Sequence, residues 1–153
     1  MLGREAMAGY SGTPLLQKLG IRRGDRVLVR NAPEQLPREL IEFSQARLKR
    51  NLDMVLLFAR SADSFNTEFA SLIPAIQADG AIWVAWPKKA SGLRTDLSED
   101  VIRDQALKTH LVDVKVCAID EIWSGLKLVI RKEHRAAHSA RTKARRIAGT
   151  QEA

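Results

Sequence analysis

The chain has 153 residues, 45% of them hydrophobic and 28% charged, with a single cysteine. That is enough chain for one domain with a sizeable core, and the lone Cys117 excludes an intrachain disulfide framework and suits a reducing cytoplasm, the location we expect. The formal charge of +7 is lopsided: seven Lys/Arg and two Glu from residue 131 onward supply +5, leaving a nearly neutral body at +2. The basic excess therefore belongs to an appendage and not to a nucleic-acid-binding fold.

The N-terminal stretch "MLGREAMAGYSG" lacks the apolar segment of a secretory signal, and Met7 offers a second start. The apolar runs are too short to span a bilayer, so no membrane partner is expected. Thr13-Pro14 opens a helix that Gly20 stops. "RVLVRNAP" reads as a short strand ending at Asn31-Ala32-Pro33. "PRELIEFSQARLKRN" sets Leu40, Ile41 and Leu48 at helical spacing, with a short edge strand as the alternative at its end. Met54 to Ala59 is a continuous apolar run, the pattern of a strand buried on both faces of a parallel sheet. Phe65, Phe69, Leu72 and Ile76 then share one face of an amphipathic helix, which Pro74 should kink or whose last turn it should split off, and which Gly80 should end.

"AIWVAW" is the next buried strand. "TDLSEDVIRDQALKTH" follows as a helix capped by Asp96 or Ser98, with Glu99 and Asp100 at its positive end. "LVDVKVCAID" and "LKLVIRK" alternate with period two across "EIWSG" and read as an antiparallel hairpin. After Arg131 the apolar periodicity stops. The expected architecture is one three-layer, Rossmann-like α/β domain over residues 8–131, its sheet mostly parallel with a C-terminal antiparallel hairpin. Residues 132–153 should be a solvated basic tail, a frayed helix or disordered.

Two resemblances follow from these motifs. The order from Leu52 to Ile130, with "LIPAIQADGAIWVAWP" at its centre, resembles the second half of class I methyltransferases. "SGTPLLQKLGI", "WVAWPKKASG" and "DEIWSGLKLV", spread over Ala8 to Lys132, resemble a family of small bacterial proteins of unknown function, a resemblance that supplies no function either way. The methyltransferase resemblance would imply S-adenosylmethionine on a Gly-rich loop after the first strand, where glycine lets the backbone approach the cofactor. Here that loop is "RNAPEQLP", with no glycine and two prolines, and the acidic residue for the ribose has no counterpart. No cofactor is therefore expected.

In open parallel sheets ligands bind beyond the carboxyl ends of the strands. The loops there bring Asn31, Arg60, Ser61, Trp86, Lys88, Lys89, Ser91 and Gly92 into candidacy as an anion site, with Gly92 admitting a ligand to the backbone amides. The plainer alternative is a turn with solvated lysines. Asp120 and Trp123 form a candidate contact surface, against the reading of a polar hairpin turn with Trp123 covering the core edge. Neighbouring carboxylates on a strand point to opposite faces, so Asp120 and Glu121 do not make an acid–base pair. Cys117 has no local base and reads as an inert buried thiol. His134 and His138 have a zinc-compatible spacing but sit among arginines without a third ligand, so no metal is expected. The tail lacks aromatics for base stacking and could offer nucleic acid only weak, non-specific contact. The sequence thus points to a non-catalytic binding or regulatory module for a small anionic ligand or a protein partner. A degenerate S-adenosylmethionine- or nucleotide-binding enzyme, and a weak nucleic-acid binder, are the alternatives.

Overall fold

The computed structural model describes residues 14–152, with side chains through residue 144; the expected domain start at residue 8 lies outside that range. In chain order the elements are α1 (Leu15–Leu19), β1 (Val27–Arg30), a 3-10 turn (Arg38–Leu40) running into α2 (Ile41–Ser44), β2 (Leu52–Phe58) and α3 (Ala62–Leu72). There follow β3 (Ile76–Pro87), α4 (Glu99–Ala106), β4 (Leu111–Ala118), β5 (Trp123–Ile130) and α5 (Arg135–Glu152). One five-stranded sheet runs in the order β1-β2-β3-β5-β4. Val27 to Arg30 pair in parallel with Met54 to Leu57, and β2 pairs in parallel with β3. β5 is antiparallel to both β3 and β4. The sheet is therefore mixed, not mostly parallel. The hairpin is no thin edge addition, because β5 pairs along β3 from Ala81 to Pro87 and buries Leu126, Leu128 and Ile130 completely.

Both faces of the sheet are covered, which makes three layers. Alternation along β2 divides the core. Val55 and Leu57 point into one cluster with Phe65, Phe69 and Leu72 of α3 and Ile102 of α4. Met54, Leu56 and Phe58 point into a second cluster with Leu15 and Leu19 of α1, Leu40, Trp83 and Trp123. We call these the first and second faces. α3 behaves as its periodicity demands: Ser61 caps it by accepting from the Ser64 amide at 3.1 Å, and Pro74 lies in a 3-10 turn, Ile73–Ala75, that closes it.

Three expectations are corrected. β3 begins at Ile76, so Gly80 does not stop a helix but lies inside a strand. Leu52 pairs with Ile76 and Met54 with Ala81, so β3 carries extra residues against β2 at an irregularity. A Cβ on Gly80 would come within 2.9 Å of the Leu52 carbonyl oxygen, so close backbone approach is what requires glycine here. Second, "QARLKRN" forms no edge strand. Third, the tail helix, which begins at Arg135, is not wholly solvated: His138 is only 3% exposed. Its Nε2 lies 2.7 Å from the Ile76 carbonyl oxygen. A carbonyl can only accept, so Nε2–H donates, and this buried bond docks a helix that the loss of apolar periodicity left in solvent.

α1 shows why five residues suffice for a helix here. Its last carbonyls are all satisfied. Leu16 O accepts from the Ile21 amide and Gln17 O from the Gly20 amide. Lys18 O accepts from Lys115 Nζ of β4 at 3.1 Å and Leu19 O from Trp83 Nε1 of β3 at 2.9 Å. Gly20 takes φ 81°, the left-handed cap that lets the chain turn away.

Candidate functional site

The parallel pairing sends the ends of β1, β2 and β3 to one rim. The turn between β4 and β5 reaches the same rim, because Pro87 pairs with Trp123. The Lys88 amide donates to Ile122 O at 2.7 Å and ties the two loops together. The "WPKKASG" and "DEIWSG" stretches, separate in sequence, are thus neighbours.

Two hollows open on this rim. The larger, about 700 Å³, is lined by Arg60, Ser61, Trp86, Lys89, Gly92 and Arg94, among others. The smaller, about 280 Å³, is lined by Asn31, Phe58, Arg60, Ser64 and Trp123. Arg60 borders both, its guanidinium carbon 5.8 Å from the centre of the Trp123 ring. That ring stands edge-on to Phe58 at 5.0 Å. Asn31 has φ 59°, the left-handed conformation that asparagine tolerates better than most residues.

Several candidates are placed differently from expectation. Trp123 is only 2% exposed and packs in the core beneath Arg60, the placement that goes with the hairpin-turn reading. Asp120 is spent on its own turn, its Oδ1 accepting from the Ile122 and Trp123 amides at 2.8 Å each. Lys88 does not line the larger hollow, whereas Lys89 does. The amides around Ser91 are not free for an anion: Ser91 N–H donates to Lys88 O, Gly92 N–H to Lys89 O, and Leu93 N–H to the Ser91 hydroxyl. The 3-10 turn Lys89–Ser91 consumes them. Side-chain charge, rather than backbone donors, is what the site offers.

Arg94 and Asp96 were missed as site residues. Of the two caps offered for α4, Asp96 and Ser98, Ser98 fills the role, accepting from the Val101 amide at 3.2 Å. Asp96 Oδ1 instead accepts from the Ala62 amide at the start of α3, at 2.7 Å. This carboxylate holds the 92–97 loop against α3 and occupies the positive end of that helix. Arg94 carried a signal: it follows Gly92 closely in a polar loop at a strand end. The hydroxyls around the hollow are committed as acceptors, Ser61 to Ser64 N–H, Thr95 to Leu97 N–H and Ser98 to Val101 N–H. No histidine lines either hollow.

The remaining titratable groups lie elsewhere. Cys117 is half-buried, and burial pushes its thiol up more than Lys18 and Lys115 pull it down. The His110 and His134 rings stack at 4.0 Å near the opposite rim. Desolvation, then the charges of His134, Arg141 and Arg131, hold His110 below its ordinary value. Among the described residues no group of three His, Cys, Asp or Glu could hold a metal ion, and no helix is long and apolar enough to cross a membrane.

No protein-family model matches the chain, and no curated protein is similar to it. Among solved structures, LepI in complex with SAH and a substrate analogue is 12% identical at a TM-score of 0.45, covering 86% of this chain and 47% of that one. LepI in complex with SAM is 12% identical at 0.45, covering 84% and 46%. A protein of the NADB-Rossmann superfamily from Streptococcus agalactiae is 11% identical at 0.45, covering 80% and 70%. The chain spans about half the length of the LepI chains it matches. Likenesses this distant carry no argument about activity, and the site is read from its own chemistry.

Proposed function

We propose that the protein is an α/β binding or regulatory module that takes a small anionic ligand in the crevice beyond the ends of β2 and β3. The observation that supports this is the convergence of Arg60, Lys89 and Arg94 on one hollow of about 700 Å³. Its acidic lining residue, Asp96, is already bonded to the Ala62 amide. Trp86, Leu93 and Leu97 supply an apolar wall, so the ligand combines a charged group with a flat or apolar part. With its hydroxyls serving as caps and no histidine beside them, the crevice favours binding over nucleophilic chemistry.

A second reading, an S-adenosylmethionine- or nucleotide-binding enzyme, gains from one observation. Asn31 directly follows β1 in the left-handed conformation that a glycine would supply there. The two prolines of "RNAPEQLP", which donate no backbone hydrogen bond, weigh against it. A thermal-shift screen with nucleotides, S-adenosylmethionine and polyphosphate separates these readings, because a bound ligand raises the melting temperature by mass action. A hit that the exposed pair Lys89→Ala with Arg94→Ala abolishes supports the crevice. A screen in which no hit depends on that pair, an empty screen included, overturns it. Binding that weakens steeply with salt and vanishes on deleting residues 131–153 would instead favour nucleic-acid contact by the tail.

A further inference from the structure

The second face of the sheet carries another cationic cluster, away from the rim. The register of β4 and β5 sets Lys115 directly opposite Lys127. Like charges facing each other across a strand pair are destabilising. The ion pairs of the described residues are those of Arg30 with Glu68 and of Arg103 with Glu99, Asp100 and Asp113, so none of them relieves this pair. Both ammonium groups are drawn to the C-terminal end of α1. Lys115 Nζ donates to Lys18 O at 3.1 Å. Lys127 Nζ lies 3.3 Å from where a Cβ on Gly20 would stand. Gly20 thus leaves room for the Lys127 head group, and Lys18 and Arg22 flank the same turn.

The α1 carbonyls account for Lys115 but not for Lys127, whose ammonium has no hydrogen-bond or salt-bridge partner among the described residues. Partial burial, then the charges of Lys115 and Arg22, lower its pKa from the ordinary lysine value. The Lys127 ammonium reaches solvent beside two further cations, and an anion bound there would relieve that concentration of positive charge.

We propose that Lys18, Arg22, Lys115 and Lys127 form a binding site for a compact phosphate-bearing small molecule, separate from the strand-end crevice. Lysine ammonium groups act as point charges with three donors each, and several approaching from different directions suit the oxygens of a multiply charged phosphate better than one carboxylate. The bound anion would offset the cross-strand repulsion between Lys115 and Lys127.

The test is a titration of the full chain with inorganic pyrophosphate at constant ionic strength, read from the lysine side-chain ammonium NMR signals and from the melting temperature. Saturable shifts of the Lys127 and Lys115 signals are expected, with a rise in melting temperature that Lys127→Met reduces several-fold and Lys89→Ala with Arg94→Ala leaves in place. Lys127→Met keeps the apolar stem and removes the charge, so its unliganded melting temperature should be unchanged or higher. If that variant fails to fold, Lys115→Met replaces it, and the wild-type NMR titration stands by itself. Absent or non-saturating Lys127 shifts overturn the proposal. So does a rise lost only in the Lys89/Arg94 variant, which would assign pyrophosphate to the crevice. Equal effects of chloride at matched ionic strength, or of polyglutamate, overturn it as well.

Discussion

The two faces of the sheet are covered by different means. The first face carries α3, with 11 residues, and α4, with 8 residues, whose apolar stripes lie on the sheet. The second face carries α1 and α2, with 5 and 4 residues, too short to be helices alone in water. There the cover is held by side chains of the sheet reaching out to it: Trp83 Nε1 and Lys115 Nζ bond the last carbonyls of α1. A long amphipathic helix brings its own stability to the packing, whereas a single turn is stabilised by the surface it lands on. Charge follows the same division. On the first face Arg103 is held by Asp113, Glu99 and Asp100, while the second keeps the cations of Lys115 and Lys127 together.

The largest expected effects test whether both faces are true cores. Leu56 and Leu57 are adjacent on β2, point to opposite faces and are both fully buried. Leu56→Ala and Leu57→Ala should each lower stability by roughly 2–5 kcal/mol in denaturant unfolding. A near-neutral Leu56→Ala would mean that the short-helix face is loosely covered and that the comparison fails.

Trp83→Phe sharpens it. The ring's apolar bulk is largely kept but the donor to Leu19 O is lost, leaving a buried carbonyl unsatisfied at a cost of about 1–3 kcal/mol. Hydrogen exchange should quicken in α1 and not in α3; uniform quickening would show that α1 does not depend on that bond.

His138→Ala probes the edge of the first face, where α5 docks on Ile76. We expect a loss of about 1–3 kcal/mol, since the Ile76 carbonyl would be left without this donor. Deleting residues 133–153 should cost at least as much, read as a fall of several degrees in melting temperature. No change in either variant would return the tail to solvent.

The smallest effects are in pH dependence, and both groups act in the same direction. The folded pKa of His110 lies below its unfolded value, so the unfolded chain binds more protons and stability falls as pH drops from about 6.5. His110→Gln should flatten that acid limb. Lys127 is likewise lowered, so its penalty is present at neutral pH and fades as pH rises toward the ordinary lysine value. Stability measured from pH 8 to 10 should therefore rise less in Lys127→Met than in the wild type; an equal rise would remove Lys127 as its source.

Much of the fold was legible because the signals were local. The apolar run from Met54 to Ala59, the spacing of Phe65, Phe69 and Leu72, the end of the helix at Pro74 and the alternation of the hairpin depend on neighbours in sequence. The rim of the sheet followed from strand order, which is why Arg60, Lys89 and Gly92 could be named before their hollow was seen. Local patterns determined most of the strands and helices and which face of each is apolar, because periodicity is set by backbone geometry, but they assigned Ile76 to Gly80 to a helix where the structure has the start of β3. Tertiary structure decided the rest. Whether Gly80 ends a helix or lets β3 pass close to Leu52, whether Asp96 caps α4 or reaches the Ala62 amide, and whether His138 is solvated or bonded to Ile76 depend on partners 28 to 62 residues away. A polar side chain can satisfy its hydrogen bonds with any of several donors or acceptors of similar energy, and only the folded backbone brings one of them within reach.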